Sequence, residues 1–486
     1  MSEHRISASS GIVELSATQL SAAIHRKEVS CTEVLQAFWG QMDRLNPQVN
    51  ALVAHMPREP LLAQARQLDE ELARGHSRGP LHGFPQAPKD ISPAAGMVTT
   101  KGSPIFAGQV TQADAVAFER MRAGGALFVA RSNSPEFGLG GHTYNPVYGT
   151  TRNAFDPARS AGGSSGGAAV AVALHMLPVA DGSDMMGSLR TPAAFNNVYG
   201  LRTSVGCVPH GPGDEVFFQQ FSVAGPMARN IPDLALLLSV QAGFDARLPL
   251  TRRSEGAQNW GGALSRDFRG TRIGWLGDLG GHLPMEPGVL DICRTALQSF
   301  IEIGCKVDEV VPHFDMEQLW RAWIDLRSFT VAGANAALYD DPAKRALLKP
   351  EAVWEMARGR ALSAMDIYAA ARVRSAWYET LRRLFETYDF LILPAAQVFP
   401  FQAELDWPKT VGGRTMDTYH RWMQAVIPAT MAGLPALAAP AGFSAQGLPA
   451  GLQIIGPVQA DLAVLQIGHA YDQASGHARV ASPLLA

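Results

Sequence analysis

Hydrophobic positions along the chain follow two spacings. Over residues 14–28 apolar side chains recur every three or four positions behind Ser16, which predicts a capped helix. Ser30 and Glu33 have the spacing of a capping box for a second helix through Phe38 and Met42, expected to end near Asn46-Pro47. A charged amphipathic segment covers 60–74 and breaks at Gly75; helical spacing resumes at 114–124 and 231–243. Short runs of branched or small apolar residues predict strands at 50–54, 126–132, 271–277, 305–312, 390–394, 436–442 and 451–457. Strand, helix (285–304) and strand follow one another between 271 and 312, a βαβ unit that predicts parallel sheet. Residues 316–385 read as largely helical, with further helices at roughly 419–432 and from Asp461 to Ala474.

Two stretches fit neither spacing. Residues 79–103 are interrupted by glycine and proline, and 138–161 is long and irregular. The aromatic, glycine and proline content of the second favours an ordered, functional loop over a disordered one. No repeat or linker divides the chain, so the alternation of strands and helices predicts one large α/β domain.

Composition narrows the function classes. Hydrophobic residues make up 47% of the 486 positions and charged residues 17%, which implies a large core. The net charge of −3 comes from 41 basic and 44 acidic residues, well mixed, so nothing favours nucleic acid as a partner. The four cysteines form no CxxC pair, which fits a reducing compartment. The N-terminus lacks the apolar core of a signal peptide, and no run of about 18 apolar residues occurs. The expectation is a cytoplasmic protein with no membrane segment.

The candidate chemistry concentrates between Ala161 and Arg202, where AGGSSGG and SDMMGS each set a hydroxyl among flexible residues. A serine is a poor nucleophile until a base takes its proton. Gly163 to Gly167 fits the G-x-S-x-G elbow of Ser-His-Asp hydrolases, but that elbow follows a buried strand, and RNAFDPARSA is none. Lysine is the other base, and acts only when neutral. Lys89 sits among prolines and small apolar residues in GFPQAPKDISP.

Together these segments resemble the amidase signature family. The matching pieces are PLHGFPQAPKD (80–90) with TT-x-GS at 99–103, AGGSSGG (161–167), GSDMMGSLRTPAAFNNVYGLR (182–202), GPMAR (225–229) and the tail 433–457. The resemblance runs from about residue 12 to 475 and is weakest between about 245 and 415. It implies one domain with a mixed sheet covered by helices on both faces. The catalytic core would lie at about 75–235 and 385–475, with a variable helical substrate region at about 245–385. It implies a Ser-Ser-Lys triad: Ser188 as nucleophile, Ser164 as bridging serine behind a cis peptide bond, and Lys89 as base. Backbone N–H groups of Met185, Met186, Gly187 and Ser188 would form the oxyanion hole. It implies no cofactor and no metal, a small-molecule amide as substrate, and is compatible with a homodimer.

The chain departs from the family's usual D-x-G-G-S by reading Asp184-Met185-Met186-Gly187-Ser188. Met186 either lines the substrate pocket or packs behind the loop. Asp184 and Arg190 are expected to pair and hold the loop, and Ser165 to hydrogen-bond beside the reacting groups. His142 and His210 have no metal-ligand spacing, and Cys207 reads as a buried side chain. Phe217, Phe218 and Phe221, with Trp320 and Trp323 from the variable region, are candidates to line the acyl pocket, although aromatics at helical spacing more often form core.

The expected activity is hydrolysis of an apolar or aryl amide through a serine acyl-enzyme. The alternatives are a glutaminase-type amidotransferase component, an esterase or carbamate hydrolase with the same triad, and a catalytically inert relative that serves as a binding protein.

Overall fold

The computed structural model describes residues 9–218, 220–253 and 260–486. Its centre is an eight-stranded mixed sheet. In chain order the strands are β1 (Ala180–Asp184), β2 (Tyr199–Arg202), β3 (Val223–Ala228), β4 (Arg272–Trp275), β5 (Lys306–Glu309), β6 (Phe390–Pro394), β7 (Ala436–Phe443) and β8 (Pro449–Ile455). Across the sheet they run β5-β4-β6-β8-β7-β2-β3-β1. β4 pairs in parallel with β5 and with β6, as the βαβ pattern predicts for the first of these, and the other neighbours are antiparallel.

Strand alternation divides the apolar residues between two cores. Along β6, Phe390 and Ile392 join a core built with the helices Cys31–Val49, Gly166–Ala173, Ile231–Gln241, Val289–Glu302 and Asp461–Ser475. Leu391 and Leu393 join the other, built with Met316–Ala334, Ala364–Leu384 and Ile427–Ala432. Helices therefore cover both faces of the sheet, as expected.

The predicted capping box at Ser30 forms, and the cap expected at Ser16 proves to be a second box. Ser16 and Gln19 exchange hydrogen bonds at the start of Ala17–His25, as do Ser30 and Glu33 at the start of Cys31–Val49. The second helix does not stop at Asn46-Pro47 but runs on to Val49, where Asn50 takes a left-handed conformation (φ 50°) and closes it. A proline in the last turn removes only one ladder bond, and burial of Leu45 and Val49 outweighs that loss. The helix expected over 419–432 is a 3-10 segment, Arg421–Val426, followed by a short α-helix, Ile427–Ala432. The strand expected at 126–132 is two short pieces, Leu127–Phe128 and Arg131–Ser132.

β1 escapes the hydrophobic pattern altogether. Its residues, Ala-Asp-Gly-Ser-Asp, are small or polar, yet all five are buried. Pairing with β3 satisfies its backbone, and the carboxylates and hydroxyl it buries belong to the site.

Candidate active site

Three chain segments converge at the end of β1. The loop around Lys89 bridges to Ser132. The glycine-rich loop 161–165 leads into the helix Gly166–Ala173, and β1 leads through residues 185–189 into the helix Arg190–Phe195. Ser188 thus follows a buried strand and precedes a helix, whereas Ser164 and Ser165 follow irregular chain. The Ser165 N–H donates to the Ser188 carbonyl at 3.1 Å, tying the two serine loops together. The Gly163–Ser164 peptide bond is cis.

Lys89 is 1% exposed and its ammonium nitrogen is surrounded by hydroxyls. Nζ lies 2.7 Å from Ser164 Oγ, 2.8 Å from Ser165 Oγ and 3.2 Å from Ser183 Oγ. Burial pushes its pKa down to about 7, against the pull of Asp181 and Asp184, which favour the charged form. A large fraction of Lys89 is therefore neutral near neutral pH, the state a general base requires.

Asp181 shapes this balance. It is buried, its Oδ2 accepts from the Lys89 backbone N–H at 3.3 Å, and its Oδ1 has no partner among the described residues. Burial raises its pKa to about 6, against the Lys89 N–H and the charges of Arg131 and Lys89. Asp184 on the same strand and His210 on the facing loop complete the titratable groups around the pair. Asp181→Asn removes a negative charge that favours protonated Lys89, so the Lys89 pKa falls. The acid limb of the kcat/KM profile is expected to move to lower pH in this variant. An unmoved limb would remove Asp181 from any influence on Lys89.

The turn before Ser188 is clamped from below. Arg190 donates from Nε to Asp184 Oδ2 at 3.0 Å and from Nη2 to Asp184 Oδ1 at 2.9 Å. Arg202 Nη1 donates to the Asp184 carbonyl at 2.5 Å. Burial alone would raise the Asp184 pKa, but the two guanidinium groups hold it well below the usual carboxylate range. Arg190 also reaches Gln453 Oε1 at 2.7 Å and the Val426 carbonyl at 2.8 Å, which anchors the turn to β8 and to the segment leading into Ile427–Ala432. The expected pairing of Asp184 with Arg190 is thus present.

The same clamp corrects one oxyanion donor. The Gly187 N–H donates to Asp184 Oδ1 at 3.0 Å and is not free to meet an oxyanion. The N–H groups of Met185, Met186 and Ser188 have no acceptor among the described residues. Gly187 instead supplies conformation: its φ is +77°, and a Cβ there would lie 2.8 Å from Val426 and 2.9 Å from Thr191. Met186 needs no positive φ, so replacing the usual glycine does not distort the turn.

A cavity of about 320 Å³ opens over Ser164 and Ser188. Ser188 is the more exposed of the two, 8% against 2%. One wall is a helical stripe, Arg327, Thr330, Val331 and Ala334, at the spacing that places residues on one face. Met185, Met186, Ile91, Phe137 and Leu139 form much of the apolar lining. Met186 serves both expected roles, since it lines the cavity and is only 3% exposed within the second core.

The aromatic candidates lie elsewhere. Phe217 and Phe218 are exposed (64% and 71%) and are not among the lining residues. Phe221, Trp320 and Trp323 are buried in the second core, with Phe221 edge-on to Trp323 at 5.5 Å. The large rings bury most area by packing beneath the site, and leave its walls to thinner side chains. Sequence reasoning missed Ser183, Asp181 and Arg327; the first two lie on the strand that hydrophobic patterning cannot detect.

No histidine among the described residues hydrogen-bonds Ser164 or Ser188. His142 bonds Ser160 Oγ and the Ala403 carbonyl, at 2.7 and 2.9 Å. His210 lines the cavity 3.3 Å from Ser222 Oγ, and burial, with Lys89 nearby, pushes its pKa down to about 4. Among the described residues no group of His, Cys, Asp and Glu has the arrangement of a metal site, and no helix is long and apolar enough to cross a membrane. Cys207 is buried, and burial raises its thiol well above the ordinary range.

Comparison with known proteins supplies the reaction class. The amidase family matches residues 33–465. The chain belongs to the amidase family. It is 34% identical over 460 residues to an acylamidase of Rhodococcus erythropolis, covering 93% of this chain and 94% of that protein. It is 33% identical over 487 residues to a component of the glutamyl-tRNA(Gln) amidotransferase of Methylococcus capsulatus, covering 94% of this chain and 96% of that one. In three dimensions it matches a bacterial aryl acylamidase of the amidase signature family with a TM-score of 0.90, at 28% identity, covering 96% of this chain and 98% of that one. This amidase is a hydrolase of carbon–nitrogen bonds other than peptide bonds.

Proposed function

We propose that the chain hydrolyses apolar or aryl amides through an acyl-enzyme on Ser188. The observation that carries this is the 2.7 Å contact between Lys89 Nζ, whose pKa is about 7, and Ser164 Oγ beside the Ser188 turn. Neutral Lys89 takes the Ser164 proton, Ser164 takes the proton of Ser188, and Ser188 Oγ attacks the amide carbonyl carbon. The oxyanion accepts from the N–H groups of Met185, Met186 and Ser188, donors already oriented by the Asp184 clamp. As the C–N bond breaks, the proton held on Lys89 returns through Ser164 to the departing amine. Water then attacks the acyl ester by the same relay and releases the carboxylic acid.

The cavity lining supports an apolar acyl or aryl group, since Ile91, Phe137, Leu139, Met185, Met186 and Val331 make up much of it. It argues against a glutaminase-type role. Among the described residues no Asp or Glu lines the cavity to accept the α-ammonium group of glutamine. The acylamidase and aryl acylamidase relatives point the same way.

A hydrolysis panel of aliphatic amides, aryl anilides, glutamine, a carbamate and a nitrophenyl ester tests this directly. Anilides and apolar amides are expected to turn over, with glutamine at least roughly 100-fold poorer in kcat/KM, a difference of about 2.7 kcal/mol. Turnover of glutamine alone would contradict the proposal.

A further inference from the structure

Arg327, 4% exposed, sits where the helix Met316–Ala334 meets the cavity. Its guanidinium group is divided among three neighbours. Nε donates to Glu355 Oε1 at 2.6 Å, and Nη2 donates to the Tyr419 hydroxyl at 2.8 Å. Tyr419 in turn donates to Glu355 Oε1 at 2.8 Å, and Ser328 Oγ donates to Oε2 at 2.9 Å. Burial pushes the Glu355 pKa up, but Arg327 outweighs it and keeps the carboxylate ionised. These contacts meet every need of Glu355 and use only two of the three guanidinium nitrogens.

The third nitrogen, Nη1, has one partner among the described residues, Met185 Sδ at 3.6 Å. A thioether is a weak acceptor on a flexible side chain, which an oxygen can displace. Met185 is itself cavity wall, three residues before Ser188. A second cation, Lys101, lines the same cavity, and no carboxylate among the described residues does. The electrostatics of the pocket are therefore one-sided: it offers donors and no acidic group to oppose them.

We propose that Arg327 Nη1 recognises a second oxygen acceptor, a carbonyl or carboxylate, on the acyl portion of the amide. This rests on the amide-hydrolase function assigned to the same cavity and specifies its substrate class. The acyl group is bifunctional. Its scissile carbonyl meets Ser188, an apolar connector lies against Met185, Met186 and Val331, and an oxygen at its far end reaches Arg327. Glu355 behind the guanidinium neutralises most of its charge, which is why an uncharged carbonyl is accommodated as well as an anion.

The test is a binding series on the Ser188→Ala protein, which cannot form an acyl-enzyme. Hexananilide carries no second oxygen, 5-oxohexananilide adds a carbonyl, and adipic monoanilide adds a carboxylate. By isothermal titration the oxygen-bearing compounds are expected to bind roughly 10-fold or more tightly than hexananilide, as for a hydrogen bond to a charged donor. The preference should vanish in Ser188→Ala/Arg327→Met. Arg327→Lys on the same background keeps a cation beside Glu355 but lacks the fork, and should lose the preference even if Arg327→Met unfolds. Tighter binding of the acid alone would assign the site to carboxylates. Three dissociation constants within about twofold of one another, no binding by any of the three, or a preference that survives both Arg327 variants, would overturn the proposal. Failure of the amidase function is distinct: wild-type protein would then leave all three anilides uncleaved while the binding order held.

Discussion

Ser188→Ala is expected to lower kcat/KM for an anilide by roughly 10⁴-fold or more, the scale on which loss of a serine nucleophile acts. The fold should survive, because Ser188 is 8% exposed at the cavity surface and its Oγ makes no hydrogen bond among the described residues. An unchanged melting temperature with activity near the uncatalysed rate is the predicted outcome. Ser164→Ala should cost nearly as much, since the proposed relay then has no hydroxyl to carry the proton between Lys89 and Ser188. Ser165→Ala should cost less: Ser165 Oγ contacts Lys89 but is turned toward the carbonyl and N–H of Ser183. If Ser165→Ala proved lethal while Lys89 could be replaced, the relay would be wrongly assigned.

Lys89→Met carries the second large effect. Methionine matches the length of the lysine stem but can neither take nor return a proton, so anilide hydrolysis should fall by roughly 10³-fold or more. The loss should be smaller for a nitrophenyl ester. An anilide's nitrogen must be protonated to leave, and in the proposed relay Lys89 supplies that proton, whereas a nitrophenolate departs unaided. The wild-type pH profile should reflect the same group. As the proposed base, Lys89 must be neutral, and its pKa is about 7, so kcat/KM should climb as pH rises through about 7 and then level off. That limb should disappear in Lys89→Met. Equal losses for ester and anilide, or an intact limb in the variant, would mean that another group titrates.

Much of the architecture is legible in the chain because it rests on burial. Phe390 to Pro394 is an uninterrupted apolar run and becomes a strand buried on both faces. The βαβ pattern of 271–312 becomes a parallel pair, the Ser30–Glu33 capping box closes, and Ser16 caps its helix. β1 is the opposite case. Its Asp-Gly-Ser-Asp sequence has no hydrophobic signature, because this strand buries polar groups of the candidate site and partners most of them with Lys89, Arg190 and Arg202. Missing β1 conceals that Ser188, not Ser164, stands in the strand-turn-helix setting that the G-x-S-x-G motif brings to mind.

The site divides along a similar line. Lys89 and Ser164 can be named from short motifs because the chemistry constrains their neighbours. The pocket walls cannot, because they depend on which faces of distant helices meet. Trp320 and Trp323 precede Arg327 on one helix, yet the rings pack inward and the arginine reaches the cavity. Gly187 shows a finer limit. Its position in the motif suggests an oxyanion donor, and only the placement of Asp184 reveals that its N–H is already engaged.

The most direct measurement is to trap the acyl-enzyme. Wild-type protein mixed with a nitrophenyl ester and quenched in acid should carry the acyl mass on the peptide containing Ser188, and Ser188→Ala should carry none. An adduct on Ser164 or Ser165, or one that persists in Ser188→Ala, would contradict the assignment of Ser188 as nucleophile and with it the relay from Lys89.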